Sequence, residues 1–298
     1  MTNNTFNVYL RSKESKINKL LEQNFINIES LKSIVWGGMP QNVREKVYPL
    51  LLDVFPLEKS ENFLIEDLNK KYEKLKKESQ NLNIKDKKQI ELDVKRMTSA
   101  LNLEDKEKLL IDILVVYTYV SPEVGYVQAM SDLVLPFVLI FENLLFKESV
   151  SFFCAQNFID NQKINLVGQQ EGTNALVERL NYLLKKEDPK LHNHFEKNKS
   201  LDLNMFSFRW FNCCFAREFE REVYMLILDT LLTTRDYRMF CVHLAVCILV
   251  KFRKQIFEFS EFEAVLFLQE LKYIKWEIGE ILELLSLVYI NIDKYENI

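Results

Sequence analysis

The sequence predicts an all-α fold of two helical subdomains, on three grounds. Glycine and proline number 6 each among 298 residues, about 4 % together where ordinary chains carry roughly 12 %. Sandwiches, barrels and open α/β sheets need these residues for their turns, so those classes are disfavoured. Hydrophobic residues make up 48 % of the chain, enough for a large core or two smaller ones. They recur at helical spacing in several segments.

Taken in order, a polar segment over residues 1–30 reads as an N-terminal extension. Gly37-Gly38-Met39-Pro40 is a turn, and Pro40 stands where a helix can begin, since a first turn does not use its missing N–H. An apolar-rich helix follows over 43–54. Residues 58–95 are rich in Lys, Glu and Asn, with Leu64, Leu68, Tyr72 and Leu75 at helical spacing, the pattern of a solvated amphipathic helix. A polar connection over 81–86 then leads to Ile90, Val94, Met97 and Leu101, a stripe that pins its segment to the core.

Residues 109–120 are apolar almost all round, as in a buried helix, with its start placed at Asn102 and Asp105 following three residues on. Ser121-Pro122 and Gly125 end it. Two further buried helices are expected over 132–146, kinked at Pro136, and over 149–160. The stretch NQKINLVGQQEGT holds Gly168 and Gly172 and places the boundary between a subdomain over 31–165 and another over 166–298. The second is expected to carry helices near 173–186, 203–219, 222–232, 238–251, 260–271 and 276–290.

Several function classes are disfavoured by composition. No GxxxxGK[ST] or GxGxxG occurs, so the chain has no glycine-rich cradle for nucleotide phosphates. A net charge of −4 lacks the basic surplus that nucleic-acid binding draws on. Five cysteines without a CxxC read as reduced core thiols of an intracellular protein. The first sixteen residues hold no apolar h-region, so no secretory leader is expected. The longest uncharged apolar run, 133–141, falls well short of the roughly 20 residues of a membrane span, and the terminal YENI is no prenylation box. His192 and His194 read as surface-loop residues and His243 as a helix residue; no metal site is expected.

Two constellations carry candidate chemistry. Asp93 and Arg96 stand three apart beside the Ile90 stripe, close enough for the carboxylate to orient the guanidinium. Gly125-Tyr126-Val127-Gln128-Ala129-Met130 lies in the turn between two buried helices, where an amide would be exposed on a rigid platform. Taken alone, the first reads as an ordinary helix-surface ion pair and the second as a plain turn with a helix-capping role.

In order along the chain, these segments resemble the TBC domain family, whose members activate Rab GTPases. The IxxDxxR motif of that family is similar to Ile90/Asp93/Arg96, and its YxQ motif to Tyr126/Gln128. Its N-terminal signature resembles Gly38-Met39-Pro40, Arg44, Tyr48 and Leu51-Leu52. Phe208-Arg209-Trp210, Arg217-Glu218-Phe219 and Leu228-Asp229 resemble its downstream segments. The resemblance covers about residues 30–270. It departs at Ala129, where the family has glycine, at Met97, where it has threonine, and at Tyr48, where it has tryptophan.

The resemblance implies a TBC-type helical fold and an activator that is no enzyme on its own. Arg96 would enter the site of a GTP-bound Rab-type GTPase as an arginine finger, and Gln128 would orient the attacking water. Asp93 would hold Arg96, while Tyr126 and Arg44 would shape the site and contact the partner. No cofactor is implied, because the GTPase holds GTP and Mg²⁺. The implied location is cytoplasmic, with peripheral association at endomembranes through partners. An adaptor that binds a GTPase without activating it, and a helical scaffold with no GTPase link, are the competing readings.

Overall fold

The computed structural model describes residues 3–59, 65–81, 83–168 and 171–296. Among them the regular structure is helical, apart from one isolated antiparallel bridge between Phe25 and Glu58. The helices of the first half are α1 (Asn3–Leu21), α2 (Ile28–Val35), α3 (Gln41–Leu51), α4 (Ile65–Glu78), α5 (Ile84–Leu101), α6 (Glu107–Val120), α7 (Met130–Ile140) and α8 (Lys147–Asp160). Those of the second are α9 (Glu171–Glu187), α10 (Pro189–Lys197), α11 (Asn204–Asn212), α12 (Arg221–Leu231), α13 (Tyr237–Lys251), α14 (Arg253–Glu258), α15 (Glu261–Gln269) and α16 (Ile278–Glu296).

The chain forms two compact units. One comprises Lys13–Ile34 and Pro40–Lys163, the other Met1–Ser12, Val35–Met39 and Ile164–Ile298. The segment 1–30, read from sequence as an extension, is therefore divided between them. In the unit of α3 to α8, α6 packs against α5, α7 and α8 through Leu110, Ile113, Leu114 and Tyr117. Phe137 of α7 meets Tyr48 edge-on at 6.1 Å and Phe158 at 5.6 Å between ring centroids. In the other unit α13 is buried continuously from Phe240 to Leu249 and packs against α9, α11 and α16. A helix covered on every side needs apolar residues on every side, as the run 240–250 has.

Gly37 and Met39 are docked by hydrogen bonds within their unit. The Gly37 N–H donates to Thr230 Oγ1 at 3.1 Å and the Met39 N–H to Asp229 Oδ2 at 3.0 Å. Asp229 is fully buried, so the backbone amide satisfies a carboxylate that burial alone would disfavour. Gly38 sits at φ +102°, and a Cβ there would lie 2.6 Å from Leu226 Cδ2. Gly38→Ala is therefore expected to cost about 1–3 kcal/mol, read as a lower urea midpoint at unchanged m-value. Gly168→Ala, at φ +60° with open space around the added carbon, should cost less.

Several sequence-based expectations are corrected. Asn102 does not start α6; it ends α5 as a left-handed C-cap, φ 54° and ψ 50°, a conformation asparagine tolerates better than most residues. The helix expected over 132–146 stops at Ile140, where the chain turns at the exposed pair Glu142 and Asn143. The one expected over 203–219 stops at Asn212, because Cys214 and Phe215 take positive φ. Four helices, α1, α2, α10 and α14, were not anticipated. His192 is a buried residue of α10 and not part of a surface loop, since Asp188 caps that helix by accepting from the Leu191 N–H at 3.0 Å and Pro189 opens it. Leu101, expected in the core stripe, is exposed. Leu64 lies outside the described residues. All five cysteines are buried and none forms a disulfide. No helix among the described residues is long and apolar enough to cross a membrane.

Candidate functional site

Helix α5 supplies the first half of the site. Asn83 caps its start by accepting from the Lys85 N–H at 2.9 Å, and Ile90 and Val94 are fully buried, which fixes the helix's rotation about its axis. One face then turns outward with Gln89, Leu92 and Arg96, spaced one helical turn apart. Leu92 is 66 % exposed and the Arg96 side chain 64 %. Asp93 lies at the border of the two faces and is only 5 % exposed.

That carboxylate is the hub. Arg96 Nη2 donates to Asp93 Oδ1 at 3.0 Å. Gln89 Nε2 donates to Asp93 Oδ2 at 2.9 Å, and the Tyr126 hydroxyl donates to the same oxygen at 3.2 Å. A buried carboxylate with one cation and two neutral donors is well satisfied. Burial, then the Asp93 charge and hydrogen bond, push the Tyr126 phenol well above its ordinary range. The phenol thus stays a donor throughout the neutral range.

The second half of the site is the loop 121–129. Gly125 N–H donates to the Ser121 carbonyl at 3.0 Å, and Gly125 takes φ +65° with open space where a Cβ would stand. Glycine is required there by the backbone and not by crowding. Beyond it the Gln128 carbonyl accepts from Ser131 Oγ at 3.2 Å, while the Met130 N–H donates to the Val127 carbonyl at 2.9 Å. The backbone around Gln128 is therefore tied into the start of α7, and its side chain is exposed. Ala129 takes φ −64° and ψ −20°. An ordinary helical conformation makes no demand for glycine at that position, so its Cβ imposes no strain.

The structure brings Asp93, Arg96 and Tyr126 into one hydrogen-bonded group, with Gln128 two residues along the same loop from Tyr126. It does not bring Arg44 to the surface: that residue is 7 % exposed on α3. Met97 is half-buried. Gln89 and Leu92 stand in the group's outward face although no sequence motif marked them. The i−4 spacing of Gln89 from Asp93 was the available signal.

The downstream motifs have a structural role in the other unit. Arg209 Nε and Nη2 donate to Glu218 Oε1 and Oε2 at 2.7 and 2.8 Å, a bidentate pair whose carboxylate is fully buried. Arg209 also donates to the Gln269 carbonyl.

The family model described as the Rab-GTPase-TBC domain matches residues 41–257. The human protein "TBC1 domain family member 22B" is 25 % identical over 94 % of this chain and 61 % of its own length. "GTPase-activating protein GYP1" of Saccharomyces cerevisiae is 28 % identical over 72 % of this chain and 39 % of its own length. The chain thus spans about three fifths of the length of the first of these relatives. The crystal structure of the Ypt/Rab-GAP domain of Gyp1p superposes with a TM-score of 0.89 at 27 % identity, covering 96 % of this chain and 99 % of that one. A Chlamydomonas flagellar RabGAP TBC domain, at 18 % identity and TM-score 0.74 over 96 % of this chain and 93 % of its own, shares the fold.

Proposed function

Because the chain belongs to the Rab-GTPase-TBC domain family, we propose that it accelerates GTP hydrolysis on a GTP-bound Rab-type small GTPase, with Arg96 and Gln128 supplied in trans. The chemistry asks little covalent help of a protein. It needs an aligned water and positive charge on the transferring phosphoryl group. Arg96 supplies the charge to the phosphate oxygens, Gln128 aligns the water, and the GTPase holds the nucleotide and Mg²⁺. Leu92, exposed beside Arg96, offers an apolar contact to the GTPase surface.

The observation that carries the reading is the double use of Asp93. One buried carboxylate anchors the exposed Arg96 through Oδ1 and the loop of Gln128, through Tyr126, by Oδ2. A solvated ion pair gains nothing from such an arrangement, whereas a guanidinium that must enter another protein's site does, because its ordering is done before docking.

Single-turnover GTP hydrolysis by a panel of Rab-type GTPases tests the proposal. The wild-type chain should accelerate at least one of them, and Gln128→Ala should reduce that acceleration by roughly 10²-fold. Wild-type stimulation by the double variant Arg96→Ala/Gln128→Ala would reject the two-finger reading. Saturable binding to a GTPase without acceleration would select an adaptor instead.

A further inference from the structure

Asp93 is held by a side chain that belongs to neither motif. Its two oxygens divide the work: Oδ1 receives Arg96, while Oδ2 receives both Gln89 and Tyr126. The terminal torsion of an aspartate is broad, so an untethered carboxylate rocks through a wide arc and swings the guanidinium with it. Two donors on Oδ2 oppose that rotation and leave Oδ1 turned toward Arg96.

The two donors differ in kind. Tyr126 reaches Asp93 from a loop, and its hold depends on that loop staying in place. Gln89 sits on α5 itself, one turn before Asp93, so its backbone keeps a constant distance from the carboxylate independently of that loop. An i, i+4 amide–carboxylate pair on an open helix surface is weak. Here the acceptor is 5 % exposed, and water competes poorly for it.

We infer that Gln89 is a positioning residue for Arg96, acting through Asp93 Oδ2. The kinetic consequence of the inference rests on the activator reading above; the structural consequence does not. Gln89→Met keeps the length and helix propensity of the side chain and removes only the amide. On a GTPase that the wild-type chain stimulates, this change should lower the saturated single-turnover rate about tenfold. The concentration giving half-maximal stimulation should not move. In an Arg96→Ala background the same change should have no further effect, since a residue that acts through Arg96 has nothing left to position.

The second measurement is the NMR order parameter of the Arg96 side-chain Nε–Hε, which should fall in Gln89→Met relative to wild type. Gln89→Met at the wild-type rate, or an unchanged order parameter, overturns the inference. So does a loss of equal size in the Arg96→Ala background, which would make Gln89 independent of Arg96. A loss confined to half-maximal concentration would instead make Gln89 a partner contact and also reject the inference. Should the wild-type chain stimulate no GTPase in the panel, the activator reading fails while the order parameter still decides the role of Gln89.

Discussion

Arg96→Ala is expected to slow stimulated GTP hydrolysis by about 10³-fold or more, the range over which an inserted arginine acts in this chemistry. The guanidinium is largely exposed and its carboxylate partner keeps Gln89 and Tyr126 as donors. The loss of stability should therefore stay near ~1–2 kcal/mol, smaller than for a buried carboxylate left with no donors. A rate collapse far larger than this modest fall in the melting curve separates lost chemistry from lost structure. Arg96→Lys should fail nearly as badly. The ammonium keeps the charge but presents a compact point in place of a planar fork that binds Asp93 and a phosphate oxygen at once. The measurement is the single-turnover rate at saturating protein on a responsive GTPase. Rates for Arg96→Ala within tenfold of wild type would remove the arginine from the mechanism.

The largest expected effect on stability lies in the other unit, at the Arg209–Glu218 pair. Arg209→Met should cost about 3–5 kcal/mol, because it leaves a buried carboxylate without its cation. Glu218→Gln should cost less, since the guanidinium it leaves behind is 38 % exposed and can be solvated. Even with Arg209 in place, burial pushes the Glu218 carboxyl above its ordinary range, with the arginine working against that shift. Removing the arginine raises it further. A carboxyl whose folded pKa exceeds its unfolded one binds its proton more tightly in the folded state, so the associated penalty appears as pH rises and fades as it falls. The deficit of Arg209→Met relative to wild type should accordingly shrink as pH falls through the raised folded pKa of Glu218. Urea midpoints at neutral and acid pH read both statements. Equal losses for the two variants would place the cost in packing and not in the orphaned charge.

Much of this protein was legible in its residues because helical periodicity and side-chain chemistry are local. The near absence of glycine and proline specified the class. The stripe of Ile90 and Val94 placed α5 and its buried face, and the spacing of Asp93 and Arg96 placed both on neighbouring lines of that helix. The resemblance carried by IxxDxxR and YxQ pointed to the family, which the match over 41–257 establishes. Local reasoning failed where a helix had to stop for reasons outside its own pattern. The residues after Asn212 keep an apolar rhythm, yet Cys214 and Phe215 adopt positive φ, a cost the surrounding contacts must offset. Asn102 was read as an N-cap because the same short polar side chain serves either end of a helix.

What tertiary structure alone decided is the meeting of segments far apart in the chain. Tyr126 lies 33 residues from Asp93 and shares its carboxylate, and Met39 lies 190 residues from the Asp229 that receives its amide. No spacing rule reaches across such distances. A hydrogen bond is short-ranged and directional, so which donor finds a given acceptor depends on how α6 and α7 fold the chain back, a matter of packing that periodicity does not encode.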